Sequence, residues 1–477
     1  MTDYDLVVLG AGASGLGAAR SAVRAGRRVA LVEAARPGGD CTHYGCVPSK
    51  ALLESARRVA AARSGPSYGF TAQVQVDFPA VMERVARVVA DVERDESPRL
   101  LAREGIDLLS GWGRFTNEHT IEVEGRRITT ERFVLASGSR AAVPPIPGLA
   151  DTPYLDNQNV FALRQQPEHL LVLGGGPIGI ELAQAFRRLG SKVTVVEAAP
   201  SILVREEPEA VRALTTVLER EGVVLRVGTT VERVSPGPTL HLSDGTTLTG
   251  SHLLVAVGRQ PATNDIGLDL LGVRLDVSGR VLTDDHLKAG PATWAAGDCT
   301  SLLQFTHVGD EQGRLAAKNA FAAPLRAASW DDSVVPWVTF TEPEVAHVGL
   351  TEQQAVAAYG DRVLVSTVPD SRSDRARAAG ETDGLVKLVA VKARVGGIVL
   401  GKLAGMTVVG PMAGEQIAEG ALAMRSGTLV GRLAQTIHAY PTWSLSTRVA
   451  AARFFGAQGG TPVRPGRDAS ALSDRTT

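Results

Sequence analysis

The sequence is short of cysteine, of long apolar runs and of net charge, and each shortage narrows what the chain does. Three cysteines stand among 477 residues, too few for a disulfide-stapled secreted scaffold. An apolar strand begins within the first ten residues, with no signal-peptide pattern ahead of it. A reducing, cytoplasmic setting is therefore expected, where a disulfide is catalytic more often than structural. No apolar stretch approaches the roughly 20 residues that a membrane-spanning helix needs, so no membrane partner is expected. A formal net charge of −1 offers no basic surface for nucleic acid. The length suggests about two to four domains.

What is present is concentrated. Two of the three cysteines fall in GGDCTHYGCVPSK, residues 38–50, where Cys41 and Cys46 are five positions apart. A glycine-rich turn precedes them and a Pro-led helix follows. A loop this short can close a disulfide that opens and re-forms easily, and a helix start stabilises a thiolate through its dipole and N–H groups. The segment therefore reads as a redox pair. The same residues also admit two small buried hydrophobes, or a metal site of Cys41, His43 and Cys46. The metal reading is short of the usual four ligands, and no other Cys-rich stretch exists to complete it.

The opening stretch DYDLVVLGAGASGLGAARSAVRAGRRVALVEA reads as a strand (Leu6–Leu9), a turn with Gly10, Gly12 and Gly15, a helix, and a second strand (Val29–Val32) ending in Glu33. Glycines so placed permit a tight turn, close approach of backbone to a pyrophosphate, and helix–strand packing. The helix start holds the phosphates and the acid accepts from a ribose hydroxyl. The unit recurs 164 residues later in LLVLGGGPIGIELAQAFRRLGSKVTVVEA, which sets Gly174, Gly176, Gly179 and Glu197 in register with Gly10, Gly12, Gly15 and Glu33. One decayed copy is the alternative, yet both copies keep every functional position, so two dinucleotides are predicted. A carboxylate at Glu197 would repel a 2′-phosphate and favours NADH; Arg205 nearby leaves NADPH open.

The rest alternates helices and strands. A polar turn at Ser64–Gly69 precedes a helical stretch from Phe78 to Glu104, then strands at Gly113–Phe115, Thr120–Glu124 and Phe133–Ala136. The prolines of SGSRAAVPPIPG mark a crossover. The second nucleotide unit closes with LLVAVGRQP, and TWAAGDCT returns to the first domain. A helix is predicted near His307 with acids in its first turn. From Trp337, strands (Leu385–Val391, Gly397–Ala404) alternate with helices (Gly414–Arg425, Thr428–Thr436). The tail over residues 456–477, rich in Gly, Pro, Ser, Asp and Arg, is expected to be disordered. The predicted fold class is α/β: two Rossmann-like dinucleotide-binding domains, at 1–148 with 269–330 and at 149–268, plus a C-terminal α+β domain at 335–455.

Taken in order, GAGASG, GGDCTHYGCVPSK, LASGS, GGGPIGIELA, VAVGRQP, AAGDC, FTEPEVAHVGLTE and HAYPT make the chain resemble a class I pyridine nucleotide–disulfide oxidoreductase from about Asp3 to Phe455. That group includes dihydrolipoamide dehydrogenase, glutathione reductase and mercuric reductase. The resemblance implies FAD in the first domain, a nicotinamide cofactor in the second, and a homodimer built on the C-terminal domain. It implies that Gly10, Gly12, Gly15 and Glu33 hold the ADP part of FAD, with Gly113, Ser137, Gly138 and Ser139 as further contacts. Asp298 would bind the ribityl chain, and the helix near His307 would aim its positive end at the flavin. Gly174, Gly176, Gly179, Glu181, Glu197 and Gly258 are implied for NAD(P). Cys46 matches the flavin-facing cysteine and Cys41 the one that exchanges with substrate. Lys50 and Glu181 match a buried pair beside the flavin and the nicotinamide. A lone buried lysine is costly, so a partner for Lys50 is expected; the plain alternative for Glu181 is a surface helix acid. Cys299 has no partner cysteine and reads as structural.

The C-terminal motif departs from the family. Disulfide reductases and dihydrolipoamide dehydrogenases show a His just before the proline, oriented by a Glu, which protonates a leaving thiolate across the dimer interface. Here the string is HAYPTWSL: Tyr440 takes the His place and Leu445 the Glu place. An unperturbed tyrosine, with a pKa of about 10, is a poor proton shuttle at neutral pH. His438 lies two residues upstream as a substitute, and the plain fate of Tyr440 is a packed aromatic with a satisfied hydroxyl. Mercuric reductases carry a tyrosine here, but they also use a C-terminal cysteine pair, and no cysteine follows Cys299. The expected function is an FAD-dependent NAD(P)H oxidoreductase whose cysteine pair reduces a small disulfide, a thiol-reactive electrophile or a metal ion. Dihydrolipoamide dehydrogenase and a redox-sensing flavoprotein with incidental turnover are the alternatives.

Overall fold

The computed structural model describes residues 2–395, 398–456 and 463–467, without the side chains of 393–400. The chain divides into two compact units. The first gathers Met1–Arg58, Phe70–Gln166 and Leu253–Asp331; the second gathers Val59–Gly69, Pro167–His252 and Asp332–Thr477.

At the centre of the first unit is a six-stranded sheet in the order Lys288–Gly290, Thr293–Ala295, Phe133–Leu135, Leu6–Leu9 (β1), Val29–Glu33 (β2) and Ile106–Ser110. All its pairings are parallel except the edge hairpin. β1 is the run LVVL, buried throughout, as a strand covered on both faces must be. Its side chains alternate between two cores. Leu6 and Val8 pack with helix α1 (Ala13–Arg24) and the helix Thr306–Ala320. Val7 and Leu9 pack with Phe115 and Ile121 of an antiparallel sheet built from Gly113–Asn117, Thr120–Val123 and Arg126–Thr129. The two helices lie so close that a Cβ on Gly313 would fall 2.0 Å from the Ser14 carbonyl oxygen.

The helical stretch expected over Phe78–Glu104 is two helices, Phe78–Glu93 and Pro98–Arg103, joined by a 3₁₀ turn at Arg94–Glu96. Pro98 causes the break: its ring drives Ser97 to φ −63°, ψ 148°, outside the helical region.

In the second unit, the strands His169–Leu173, Lys192–Val196 and Val223–Arg226 pair in parallel. A separate six-stranded antiparallel sheet runs Pro336–Thr339, Glu344–Gly349, Ile398–Gly410, Leu385–Val395, Val363–Pro369 and Arg464–Pro465. Part of the tail expected to be disordered is thus in the sheet. Arg464–Pro465 pairs with Leu364 and Val365, and the Arg464 guanidinium binds Glu352. That ion pair supplies an enthalpic anchor that composition alone does not reveal. Residues 457–462 and 468–477 of the same expectation lie outside the described residues. Among the described residues, no helix is long and apolar enough to cross a membrane.

Candidate active site

Glycine shapes the cysteine loop. Gly38 (φ 99°) and Gly39 (φ 60°) adopt the left-handed region, open to glycine at no steric cost. Helix α2 (Gly39–His43) then carries Cys41, and after Gly45 helix α3 (Cys46–Arg63) begins at Cys46 itself. Both sulfurs are thiols here; Cys41 is half-buried and Cys46 exposed. A hydrogen bond to Cys46, with burial second, pushes the Cys41 thiol far up. The Cys46 Sγ lies 3.3 Å from Oγ1 of Thr306, the first residue of the helix Thr306–Ala320. That helix starts one residue before His307, and Asp310 and Glu311 fall in its second turn rather than its first. His307 stacks on Phe305 (5.5 Å between centroids, 9°). His43 is buried, and its Nε2 donates to the Pro37 carbonyl (2.7 Å), so the ring braces the loop. Among the described residues, no group of three His, Cys, Asp or Glu is placed to hold a metal ion.

The two nucleotide units are built alike. Gly10 has φ 102°, and a Cβ on Gly15 would fall 1.7 Å from the Gly10 oxygen; Gly174 has φ 114°, and a Cβ on Gly179 would fall 2.2 Å from the Gly174 oxygen. These four glycines are required by backbone and packing. Gly12 and Gly176 are not: a Cβ on Gly12 would meet nothing closer than 3.9 Å, and one on Gly176 nothing within 4 Å. Glycine at these two places leaves room for a ligand against the backbone. Each caps its helix without a side-chain bond to the first N–H groups, so those donors face the position where a pyrophosphate would sit. The acids match as well. Glu33 accepts from the N–H of Ala11 (2.7 Å) and of Ala35 (2.8 Å); Glu197 accepts from Gly175 (2.6 Å) and Ala199 (2.7 Å). The donor set fits a dinucleotide in both units.

A polar cluster joins the cysteine loop to the AAGD turn. Ser139 Oγ donates to Asp298 (2.5 Å), and Arg259 donates to Ser139 Oγ through Nε (2.7 Å) and to Asp40 through Nη2 (2.8 Å). Asn157 donates to Asp40 (3.0 Å). Burial pushes the Asp298 carboxyl up, against Ser139 and Arg259. Arg259, Asp40, Asn157 and Thr306 were not singled out from the sequence. Arg259 was within reach, since it follows Gly258 in VAVGRQP. Gly138 (φ 71°) and Gly258 (φ 131°) need glycine conformations, whereas Gly113 is fixed by packing, a Cβ there meeting Ile121 at 2.9 Å and Leu9 and Val32 at 3.0 Å. Ser137 borders Cys299, which is wholly buried and pushed up to about 11 by burial. The Cys299 thiol donates to the Ala296 carbonyl (3.4 Å).

In the second unit, Glu181 is 5% exposed and accepts from the Phe340 N–H (2.8 Å), so it is not a surface helix acid. Lys50 lies on α3 in the first unit. Tyr440 is 70% exposed rather than packed, and its hydroxyl donates to Asp374 (3.0 Å). That bond pushes the phenol further up. The His438 side chain is 6% exposed, with Nε2 on Glu419 (2.9 Å) and Nδ1 on the Thr436 carbonyl (3.0 Å). Leu445 opens the helix Leu445–Ala452.

Residues 4–313 match the pyridine nucleotide-disulphide oxidoreductase family, and 335–451 match its dimerisation domain. The sequence is 35% identical over 460 residues to the mercuric reductase of Bacillus cereus, across 95% of this chain and 72% of that protein. It is 36% identical to the dihydrolipoyl dehydrogenase of Thermus scotoductus, across 93% of this chain and 96% of that one. The HOCl-induced flavoprotein disulfide reductase RclA from Escherichia coli has a similar structure, with a TM-score of 0.83 at 30% identity, covering 94% of this chain and 99% of RclA.

Proposed function

The chain belongs to the pyridine nucleotide-disulphide oxidoreductase family, and from that premise we propose that it sends electrons from NAD(P)H through FAD to the Cys41–Cys46 pair and on to a small disulfide, a thiol-reactive electrophile or a metal ion. It is an FAD-dependent, NAD(P)H-using oxidoreductase, and FAD when bound supplies the two-electron relay between nicotinamide and sulfur. The domain at 1–148 and 269–330 takes FAD, with Gly10, Gly12, Gly15, Glu33, Ser137, Gly138, Ser139 and Asp298 around it. The domain at 149–268 takes NADH in preference to NADPH, through Gly174, Gly176, Gly179, Glu197 and Gly258. Lys50 and Glu181 stand beside the flavin and the nicotinamide, and 335–455 forms a homodimer.

The acceptor class rests on Tyr440. Disulfide exchange requires a thiolate to attack and a leaving thiolate to be protonated. The Tyr440 hydroxyl is committed to Asp374, and both His438 nitrogens are engaged. A metal ion or thiol-reactive electrophile needs no leaving thiolate to be protonated, so these acceptors suit the site best. The test is an acceptor screen of the FAD-loaded enzyme with lipoamide, oxidised low-molecular-weight thiols, Hg(II) and quinones, against both nicotinamide cofactors. Strong NADH-dependent lipoamide turnover would overturn this reading in favour of dihydrolipoamide dehydrogenase. No turnover with any acceptor, despite bound FAD, would favour a redox sensor.

A further inference from the structure

The helix Pro177–Leu189 uses one face to hold the connection of a hairpin. The strands Pro336–Thr339 and Glu344–Gly349 pair with Thr339 opposite Val345, which leaves 340–343 between them. Main-chain N–H and C=O groups in a connection have no ladder to pair along and need other partners. Here the partners are side chains at i, i+3 and i+7 of the helix, positions that share a face. Glu181 accepts from the Phe340 N–H (2.8 Å). Gln184 takes Glu342 through both main-chain groups: its Oε1 accepts from the N–H (2.8 Å) and its Nε2 donates to the carbonyl (2.7 Å). Arg188 completes the row with ion pairs to the carboxylates of Glu221 (2.6 Å) and Glu342. We propose that Gln184 is a positioning residue for hydride transfer from NAD(P)H to FAD, setting the place of the Glu181 carboxylate through the backbone of this connection. The assignment rests on the reading above that stands Glu181 beside the nicotinamide.

One residue separates the two ends of the coupling. Thr341 is 3% exposed, and its hydroxyl donates to the Pro343 carbonyl (2.7 Å), so a shift at Glu342 is passed to the Phe340 N–H. Gln184 is itself 3% exposed. A side chain of the same length without polar atoms would take these partners from the Glu342 N–H and carbonyl, and the connection would move to regain partners elsewhere. The Glu181 carboxylate, bonded to Phe340, would move with it. Reacting groups tolerate little displacement: about 1 Å can cost on the order of 100-fold in rate. None of these bonds involves Gly174, Gly176 or Glu197, which are assigned to another part of the cofactor, so rate and affinity should separate. The charged groups around Gln184 are Glu181 and Arg188 on its own helix, Glu221, Glu342, and Glu381 near Glu342 and Arg188.

Wild-type, Gln184→Met, Gln184→Glu, Glu181→Gln and the Glu181→Gln/Gln184→Met holoenzymes are compared in two ways: stopped-flow reduction of bound FAD by NADH, and amide exchange at 340–342 without nicotinamide. Methionine should lower the limiting rate of flavin reduction about tenfold, shift the half-saturating NADH concentration by less than about twofold, and speed exchange of the Phe340 and Glu342 amides. With Glu181 already replaced, methionine should add little, because both changes act through one carboxylate. Glutamate at 184 keeps the acceptor and regains the donor when protonated, so its flavin reduction should approach the wild-type rate as pH falls from about 8 to about 5. An unchanged limiting rate in Gln184→Met would overturn the assignment, as would a loss that multiplies with that of Glu181→Gln. A fold defect in Gln184→Met would appear as lost FAD; the glutamate variant then decides, and a pH response no different from wild type overturns the assignment. Full-speed flavin reduction in Glu181→Gln would instead overturn the placement of Glu181 beside the nicotinamide.

Discussion

Glu197 holds the N–H of Gly175 just as Glu33 holds that of Ala11, each carboxylate bracing the second residue of its glycine turn (2.6 and 2.7 Å). The acid expected to read a ribose is therefore also a strut of its own loop. Glu197→Arg should raise kcat/KM for NADPH relative to NADH by roughly tenfold, equivalent to about 1.4 kcal/mol, and should raise KM for NADH through the lost brace. Steady-state kinetics with both cofactors checks this, and an unchanged ratio would remove Glu197 from the ribose site.

The two cysteines should separate spectroscopically. Cys46→Ser should abolish the long-wavelength band of the two-electron-reduced enzyme, and Cys41→Ser should leave a thiolate beside the flavin. The reverse pattern would mean that the two roles are exchanged.

Tyr440→His with Leu445→Glu should increase lipoamide or low-molecular-weight disulfide turnover. A positioned acid–base group is worth roughly 100-fold or more; a tenfold gain is expected, because Asp374 was placed for a phenol. No gain in the turnover assay would show that pocket shape, not proton supply, limits the disulfide reaction.

A buried ionic cluster governs one part of the stability. Lys387 is 0% exposed and lies 2.8 Å from each of Glu207, Glu209 and Glu352, while Arg464 binds Glu352 from the tail. Burial opposes ionisation of Glu352, but Arg464 and Lys387 outweigh it and hold the carboxyl at about 2. This folded value lies below the ordinary 4.5, so its stabilisation is complete above pH 4.5 and fades as pH falls towards 2. Arg464→Ala should cost on the order of 1–3 kcal/mol at neutral pH, less than the loss of a fully buried partner, and much less near pH 2. Urea denaturation at the two pH values measures the difference.

Asp370 has the opposite sign. Burial pushes its carboxyl up to about 7, so the folded chain binds that proton more tightly than the unfolded one. The stability it contributes is complete below pH 3.8 and is lost as pH rises through about 7. Asp370→Asn should raise the melting temperature at about pH 8 and change it little below about pH 4. Equal shifts at both would show that the carboxyl is not the titrating group.

Local pattern made much of this legible. The glycine turns, β1, β2 and the helix start at Cys46 follow from contiguous residues whose spacing dictates backbone conformation. The break at Ser97–Pro98 was written in the sequence, but the periodic apolar pattern on either side masked it. Thr306 could not be found this way, since it lies 260 residues from Cys46 and only the sheet order brings them together. Lys387 hid for another reason: LVKLVAV reads as a buried strand, and the acids that neutralise its lysine come from the starts of two helices elsewhere in the chain, Glu207 and Glu209 at Pro208–Arg220 and Glu352 at Glu352–Tyr359.

The contact between Gly313 and Ser14 ties two chemistries to one measure of length. Helix α1 and the helix whose first hydroxyl meets the Cys46 sulfur cross with only a hydrogen atom's clearance between them. Neither can slide without carrying the other, so the contact between Gly313 and Ser14 fixes the spacing between the start of α1 and the helix start that meets Cys46.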